Sequence, residues 1–284
     1  MTLGFHTDAF NSAYWSFGQC VDYAQAHSLP WIECGAIDGV SWIHGLGYQP
    51  HLALWEDPLA WRAEMERRAV RLSQLDAAFP LSRPEGATLG VEYILHAIRW
   101  AHLAGCAFVD TTDDRFPPAA MTEPAAMAHM RRCYQQLVPV AERYGITINI
   151  EPHGHFTTNP DRMEEMLAFV DSPNLRMNFD TGNTFIAGQD PVAFLRRFIG
   201  KVSHVHIKDV SAPLAAAARG ERTGIAVSHC AIGEGVNAAN IRECLRLLRA
   251  HGYDGVLSLE CEGQGGPMLE RSLAWVRQEL AALP

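Results

Sequence analysis

The sequence has no C-x-x-C pair, no apolar run approaching the length of a membrane span, no low-complexity tract and no glycine-rich loop of the phosphate-cradling kind. Each absence excludes something. Without paired cysteines there is no zinc knuckle or redox couple. The cysteines that do occur (Cys20, Cys34, Cys106, Cys133, Cys230, Cys244, Cys261) are odd in number and scattered, so a reduced, cytoplasmic setting is expected. The opening MTLGFHTDAF carries His6 and Asp8 where a secretory signal needs an unbroken apolar core, and no run is long enough to span a bilayer. Basic residues are scarce: 23 Lys and Arg stand against 32 Asp and Glu, a formal net charge of -9, with no basic stripe along a predicted helix. A polyanionic backbone is a poor partner for such a surface, so no nucleic acid is expected. The lack of a phosphate cradle points to a non-phosphorylated substrate.

What is present is a chain of 284 residues, 48% of them hydrophobic, enough to fill one large core, and a single domain over residues 1–284 is expected. Short apolar or β-branched runs alternate with longer helical patterns from end to end, as in repeated βα units around a parallel sheet. Eight candidate strands begin near Leu3, Trp31, Leu72, Ala107, Thr147, Arg176, Ser203 and Val256. The third, within VRLSQLDAAF, reads equally well as the tail of the preceding helix. Asn159-Pro160 and Asp190-Pro191 each set a capping side chain before a first-turn proline, marking helix starts. Gly105, Gly145 and Gly252 stand where helices should end. Ile241, Leu245 and Leu248 share one helix face, as do Leu269, Leu273, Val276 and Leu280, and both faces are core. Eight such units predict an α/β fold, the (β/α)8 barrel, in which chemistry gathers at the C-terminal ends of the strands.

Four late segments end an apolar run on a metal-competent side chain: ITINIE at Glu151, RMNFD at Asp180, VSHVH at His206 and VLSLE at Glu260. The first three are each about one βα unit apart, roughly 30 residues. The interval from His206 to Glu260 is nearly twice that, so the unit between them carries an insertion, KDVSAPLAAAARGERTGIAVSHCAIGEGVN, long enough to cover the barrel mouth as a lid. Three carboxylates and one imidazole suit Mn2+ foremost, with Mg2+, Co2+ and less readily Zn2+ as alternatives. Any one of these carboxylates alone would more simply be a helix cap or a surface ion pair. Four on consecutive strands make a metal centre.

The segments E-P-x-x-x-F-x-T, D-T-G-N, H-V-H-I-K-D and L-S-L-E resemble the sugar phosphate isomerase/epimerase superfamily of xylose isomerase-like barrels, which includes D-tagatose 3-epimerase, inosose dehydratase and endonuclease IV. The resemblance is specific over the last four strands and general before them. It implies that Glu151 and Glu260 hold the metal and also exchange protons with substrate, while Asp180 and His206 are ligands alone. It implies a small keto sugar or polyol as substrate and is compatible with a homo-oligomer; the lack of a spanning run leaves no membrane partner expected. Abstraction of a proton next to a carbonyl needs charge stabilisation at the oxygen, which a divalent cation supplies, and two carboxylates on opposite faces would invert the carbon. Two positions depart from the epimerases: Asn183 stands where they commonly have histidine, and Lys208 and Asp209 follow the metal histidine where they carry an arginine shortly after it. The nearest arginines, Arg219 and Arg222, fall in the insertion. H-x-K-D is closer to inosose dehydratase and to barrels that cleave 3-keto sugars by β-elimination, so a lyase is the alternative. A phosphodiester hydrolase of the endonuclease type would need several metals and a basic face.

Further candidates are read from position. His153, two residues after Glu151, suits a third acid/base group, and His155 alternates with it. His6, Asp8 and Glu33 end the first two strands and are placed to meet substrate hydroxyls, as are Asn183 and Lys208 beside the metal site. Lys208 reads alternatively as an ion-pair partner of Glu260. Asp110, Thr111, Thr112, Asp113 and Asp114 end the fourth strand either as hydroxyl contacts or as a helix-capping loop. His204 competes with His206 as the ligand, and H-x-K-D favours His206. Trp15, Trp42, Trp55 and Phe116 either wall a sugar pocket or fill space.

Overall fold

The structure is a computed structural model and describes residues 1–13, 15–38, 51–220, 226–263 and 265–283. In chain order the strands are β1 (Thr2–His6), β2 (Trp31–Ile37), β3 (His51–Ala53), β4 (Arg71–Asp76), β5 (Phe108–Thr111), β6 (Thr147–Ile150), β7 (Leu175–Asp180), β8 (Val202–Ile207) and β9 (Val256–Leu259). All but β3 form a parallel ring in the order β1-β9-β8-β7-β6-β5-β4-β2, and it closes because β1 pairs with both β9 and β2. The eight expected strands all form and start within one residue of where the sequence puts them. The ambiguous third one is β4. The short β3 was not expected; it extends β2 past Cys34 by pairing with Gly35–Ile37.

Helices alternate with these strands: α1 (Phe17–Ala26), α2 (Pro58–Arg67), α3 (Leu89–Ala104), α4 (Glu123–Tyr144), α5 (Pro160–Leu167), α6 (Thr181–Ile186), α7 (Pro191–Phe198), α8 (Ala212–Ala218), α9 (Ala238–Ala250) and α10 (Gly266–Ala281). Asn159 caps α5 and Asp190 caps α7 through the backbone N–H groups expected of them. Gly105 and Gly145 end α3 and α4 in the left-handed conformation, and Gly252 takes it one residue past the cap of α9. Ile241, Leu245 and Leu248 are buried, as are Leu269, Leu273 and Val276, while Leu280 near the end of α10 is half-buried. These faces belong to one continuous core with outward strand residues such as Phe5, Ile32, Ile148, Met177, Val205 and Leu257. No helix among the described residues is long and apolar enough to cross a membrane.

The barrel interior is different in character. Such interiors are usually filled by branched apolar side chains, yet here Glu33, Gln74, Asn149, Asn178, His204 and Ser258 are all fully buried. Buried polar groups must find partners, and all of these but Ser258, whose hydroxyl is unbonded, are hydrogen-bonded within the barrel. Gln74 donates to Glu33 at 2.8 Å, Asn149 to Gln74 at 2.5 Å, and Ser203 to Asn149 at 2.5 Å. His204 bridges Asn178 (3.1 Å) and Ser73 (3.3 Å).

Candidate functional site

The four strand-end residues converge. Glu151 follows β6, Asp180 ends β7, His206 lies near the end of β8 and Glu260 follows β9, and one donor atom from each lies within 4.8 Å of all the others. His206 Nδ1 is 3.0 Å from Glu151 Oε1, 3.1 Å from Glu260 Oε2 and 3.6 Å from Asp180 Oδ2. One ring nitrogen cannot hydrogen-bond to three carboxylates at once. Asp180 Oδ2 and Glu260 Oε2 are buried without a hydrogen bond, an arrangement that is costly for carboxylate oxygens unless a positive charge lies between them. An oxygen-rich set with one imidazole fits a divalent cation at that point.

Asp180 caps a helix and still turns an oxygen into the site. Its Oδ1 accepts the Asn183 N–H at 2.6 Å and caps α6, while Oδ2 turns to His206. Glycine at 182 follows from the same local fold, since a Cβ there would come within 2.4 Å of the Lys208 stem. Lys208 lies across the start of α6, and its ammonium donates to Glu260 Oε1 at 3.1 Å and to Glu262.

The charges are mutually dependent. Burial works against a charged imidazole, but Glu33, Asp180, Glu151 and Glu260 outweigh it and hold His206 well above its ordinary range. Burial also opposes ionisation of Glu260, and Lys208 with His206 overrides it, holding the carboxyl well below the usual carboxylate range. Asp180 is pushed well above that range by burial and by Glu260.

Of the residues expected to meet substrate, Glu33 turns to His206. It is fully buried, one oxygen accepting from Gln74 and both lying within 2.9 Å of His206 Nε2. His6 Nδ1 is 3.1 Å from Asp8, and although burial lowers its basicity, Asp8, Glu33 and Glu260 push its pKa up to about 10. Asn183 donates its side-chain amide to Glu151 Oε1 at 3.1 Å. His153 places Nδ1 3.6 Å from Glu151 Oε2, and burial lowers its pKa. His155 turns the other way, to Glu123 at 3.0 Å. His206, and not His204, meets the three carboxylates; His204 is tied to Asn178 and Ser73, and burial pulls its pKa down to about 4.

The cluster after β5 divides. Asp113 accepts from Phe156 N and from the Thr157 hydroxyl, Asp114 pairs with Arg83, and Thr112 donates to the Glu151 carbonyl, so these three build loops. Asp110 and Thr111 are buried with their side-chain oxygens unbonded, and burial with Glu151 and Asp76 beside it pushes the pKa of Asp110 well up. Trp15 stacks on Phe10 at 4.2 Å, Trp55 and Phe116 are exposed, and Arg219 binds the Phe185 and Gln189 carbonyls. Trp42 and Arg222 lie outside the described residues. The expected lid contains a helix, α8, and the insertion is fastened at Asp209.

Three features escaped the sequence reading: Glu262, the Asp209 anchor and the amide chain inside the barrel. Only Glu262 had a signal, since it stands two residues past Glu260 and alternation puts it on the same side.

Comparison with known proteins agrees with the geometry. Residues 35–280 match the family described as xylose isomerase-like TIM barrel. Among curated proteins, inosose dehydratase of Clostridium beijerinckii is 24% identical over 129 residues, 43% of this chain and 43% of that protein. The chain spans about two fifths of the length of the curated relatives it matches. Among solved structures, a D-tagatose 3-epimerase-like protein superposes with a TM-score of 0.78 at 22% identity, covering 99% of this chain and 97% of that one. The IOLI protein with a binding zinc atom gives 0.77 at 14% identity, covering 99% and 98%. With most of its length matched, the chain belongs to the xylose isomerase-like TIM barrel family.

Proposed function

We propose that the chain is a divalent-metal-dependent enzyme that moves a proton next to the carbonyl of a ketose, keto sugar or related polyol, as an isomerase or epimerase. The observation that carries this reading is the convergence of Glu151, Asp180 and Glu260 on His206 Nδ1, with two buried oxygens left unbonded. Mn2+ is the cation we assign, with Mg2+, Co2+ or Zn2+ as alternatives; the zinc in the IOLI structure supports a metal on this scaffold. A divalent cation bound there withdraws negative charge from the carbonyl oxygen and makes the neighbouring C–H more acidic.

The chain's own groups do the rest. Glu151 and Glu260 reach the site from β6 and β9, with β7 and β8 between them, so that one takes a proton from the carbon as the other returns one. Asn183 holds Glu151 and Lys208 holds Glu260, which fixes the carboxylates before substrate arrives. Asp180 and His206 serve as ligands alone. Glu33 is better assigned to orienting His206 through Nε2 than to touching substrate, because a ligating imidazole needs its second nitrogen held. His6, at the end of β1, keeps its assignment to a substrate hydroxyl.

A lyase on the same scaffold is the second reading. His153 beside Glu151 offers a further acid/base group for a departing oxygen, and the match to inosose dehydratase favours it. Incubating the Mn2+-loaded protein with a panel of ketoses and 3-keto sugars in deuterium oxide tests both. Deuterium next to the carbonyl with a stereoisomeric product is expected, and an ultraviolet-absorbing unsaturated product would select the lyase. Neither exchange nor turnover across the panel would overturn the proposal.

A further inference from the structure

The insertion after β8 is fastened to the barrel by two carboxylates. Asp209, fully buried, accepts four backbone N–H groups: Val210 and Gly233 at 2.8 Å, Gly235 and Asn237 at 3.0 Å. The fit is close, since a Cβ on Gly235 would lie 2.2 Å from Asp209 Oδ1. Glu262 makes the second attachment. Its Oε2 accepts the Ser228 N–H at 3.0 Å, and the Ser228 hydroxyl donates to the Asp209 carbonyl at 2.5 Å. Its Oε1 accepts from the Lys208 ammonium, which also donates to Glu260 Oε1.

Glu262 thus uses one oxygen on the loop and the other on the cation that holds Glu260. Lys208 is fully buried between the two carboxylates, its stem lying against Gly182. In so confined a space, Ser228 cannot shift without moving Glu262, and Glu262 cannot move without changing how Lys208 divides itself between Glu262 and Glu260. We propose that Glu262 is a positioning residue that couples the loop at Ser228 to the orientation of Glu260. The inference rests on the metal-site reading above. Coupling is reciprocal, so binding at Glu260 is felt at residues 226–230, and loosening the loop is felt at Glu260.

Hydrogen exchange followed by mass spectrometry on the full chain tests this, with calorimetry to measure Mn2+ binding separately. In the wild type, Mn2+ slows amide exchange at residues 226–230 by about fivefold or more, the lower end of ordinary coupling. Glu262→Gln can accept from only one of its two donors, because its amide nitrogen then faces the other donor to donor. In that variant Mn2+ still binds but the loop response is lost. An unchanged response in Glu262→Gln, or a wild type that binds Mn2+ without any response at 226–230, overturns the inference while leaving the metal site standing. No Mn2+ binding at all overturns the metal-site reading and this inference with it. If Glu262→Gln does not fold, Glu262→Asp, which keeps the carboxyl group but is one methylene too short to reach both donors, is measured the same way, and an unchanged loop response there overturns the inference.

Discussion

His206 has both ring nitrogens committed, one to the three proposed ligands and one to Glu33. Because the orientation of a ligating imidazole depends on what its second nitrogen holds, Glu33→Gln should weaken Mn2+ binding about 10- to 100-fold. Isothermal titration would read the change, and an unaltered affinity would return Glu33 to the substrate side. The sequence carried the four proposed ligands plainly, since each ends an apolar run and strand ends are where this architecture gathers chemistry. It did not carry Glu33's position behind His206. A carboxylate at the end of one strand and an imidazole near the end of another become neighbours only when the barrel closes, and nothing local records that closure. Asp180 illustrates a different limit: helix cap and ligand were posed as alternatives, and a carboxylate with two oxygens can be both.

At the scale of elements, the start of α6 and the end of β8 fit each other through a single missing methyl group. Gly182→Ala would drive a Cβ to within 2.4 Å of a Lys208 stem that two carboxylates hold in place. Overpacking of that kind costs about 1–3 kcal/mol. Gly200→Ala, which meets nothing within 4 Å, serves as the control and should cost far less. Urea midpoints of the two variants provide the comparison, and equal shifts would refute the packing argument. Element boundaries were legible because capping chemistry is local: Asn159, Asp190, Gly105 and Gly145 all act within a turn of their own helix. β3 was not legible. Three residues, His51–Ala53, are too few to show a period, and they form a strand only because Gly35–Ile37 of β2 extends beyond the ring to meet them.

For the whole molecule, two buried histidines set opposite slopes of stability with pH. His204, with a folded pKa of about 4 against 6.5 unfolded, leaves the unfolded chain holding an extra proton between those values, so stability rises with pH across that window. The full effect is about 3 kcal/mol. His6 behaves in the other sense, since its folded pKa of about 10 means that stability present below pH 6.5 is lost as the pH climbs towards 10. In chelator, therefore, the stability of the wild type relative to His204→Gln should rise as the pH climbs from about 4 to 6.5 and then level off. Denaturant titrations of both proteins at half-unit steps would show a constant difference across that window if this is wrong. The chain of amides and hydroxyls that crosses the barrel, Glu33 to Gln74 to Asn149 to Ser203, has a consequence for anyone who would remodel the site. A library that randomises these positions singly orphans a buried partner each time. Folded clones should therefore come from libraries that randomise them in pairs, and new specificities from this scaffold should arrive as coordinated exchanges.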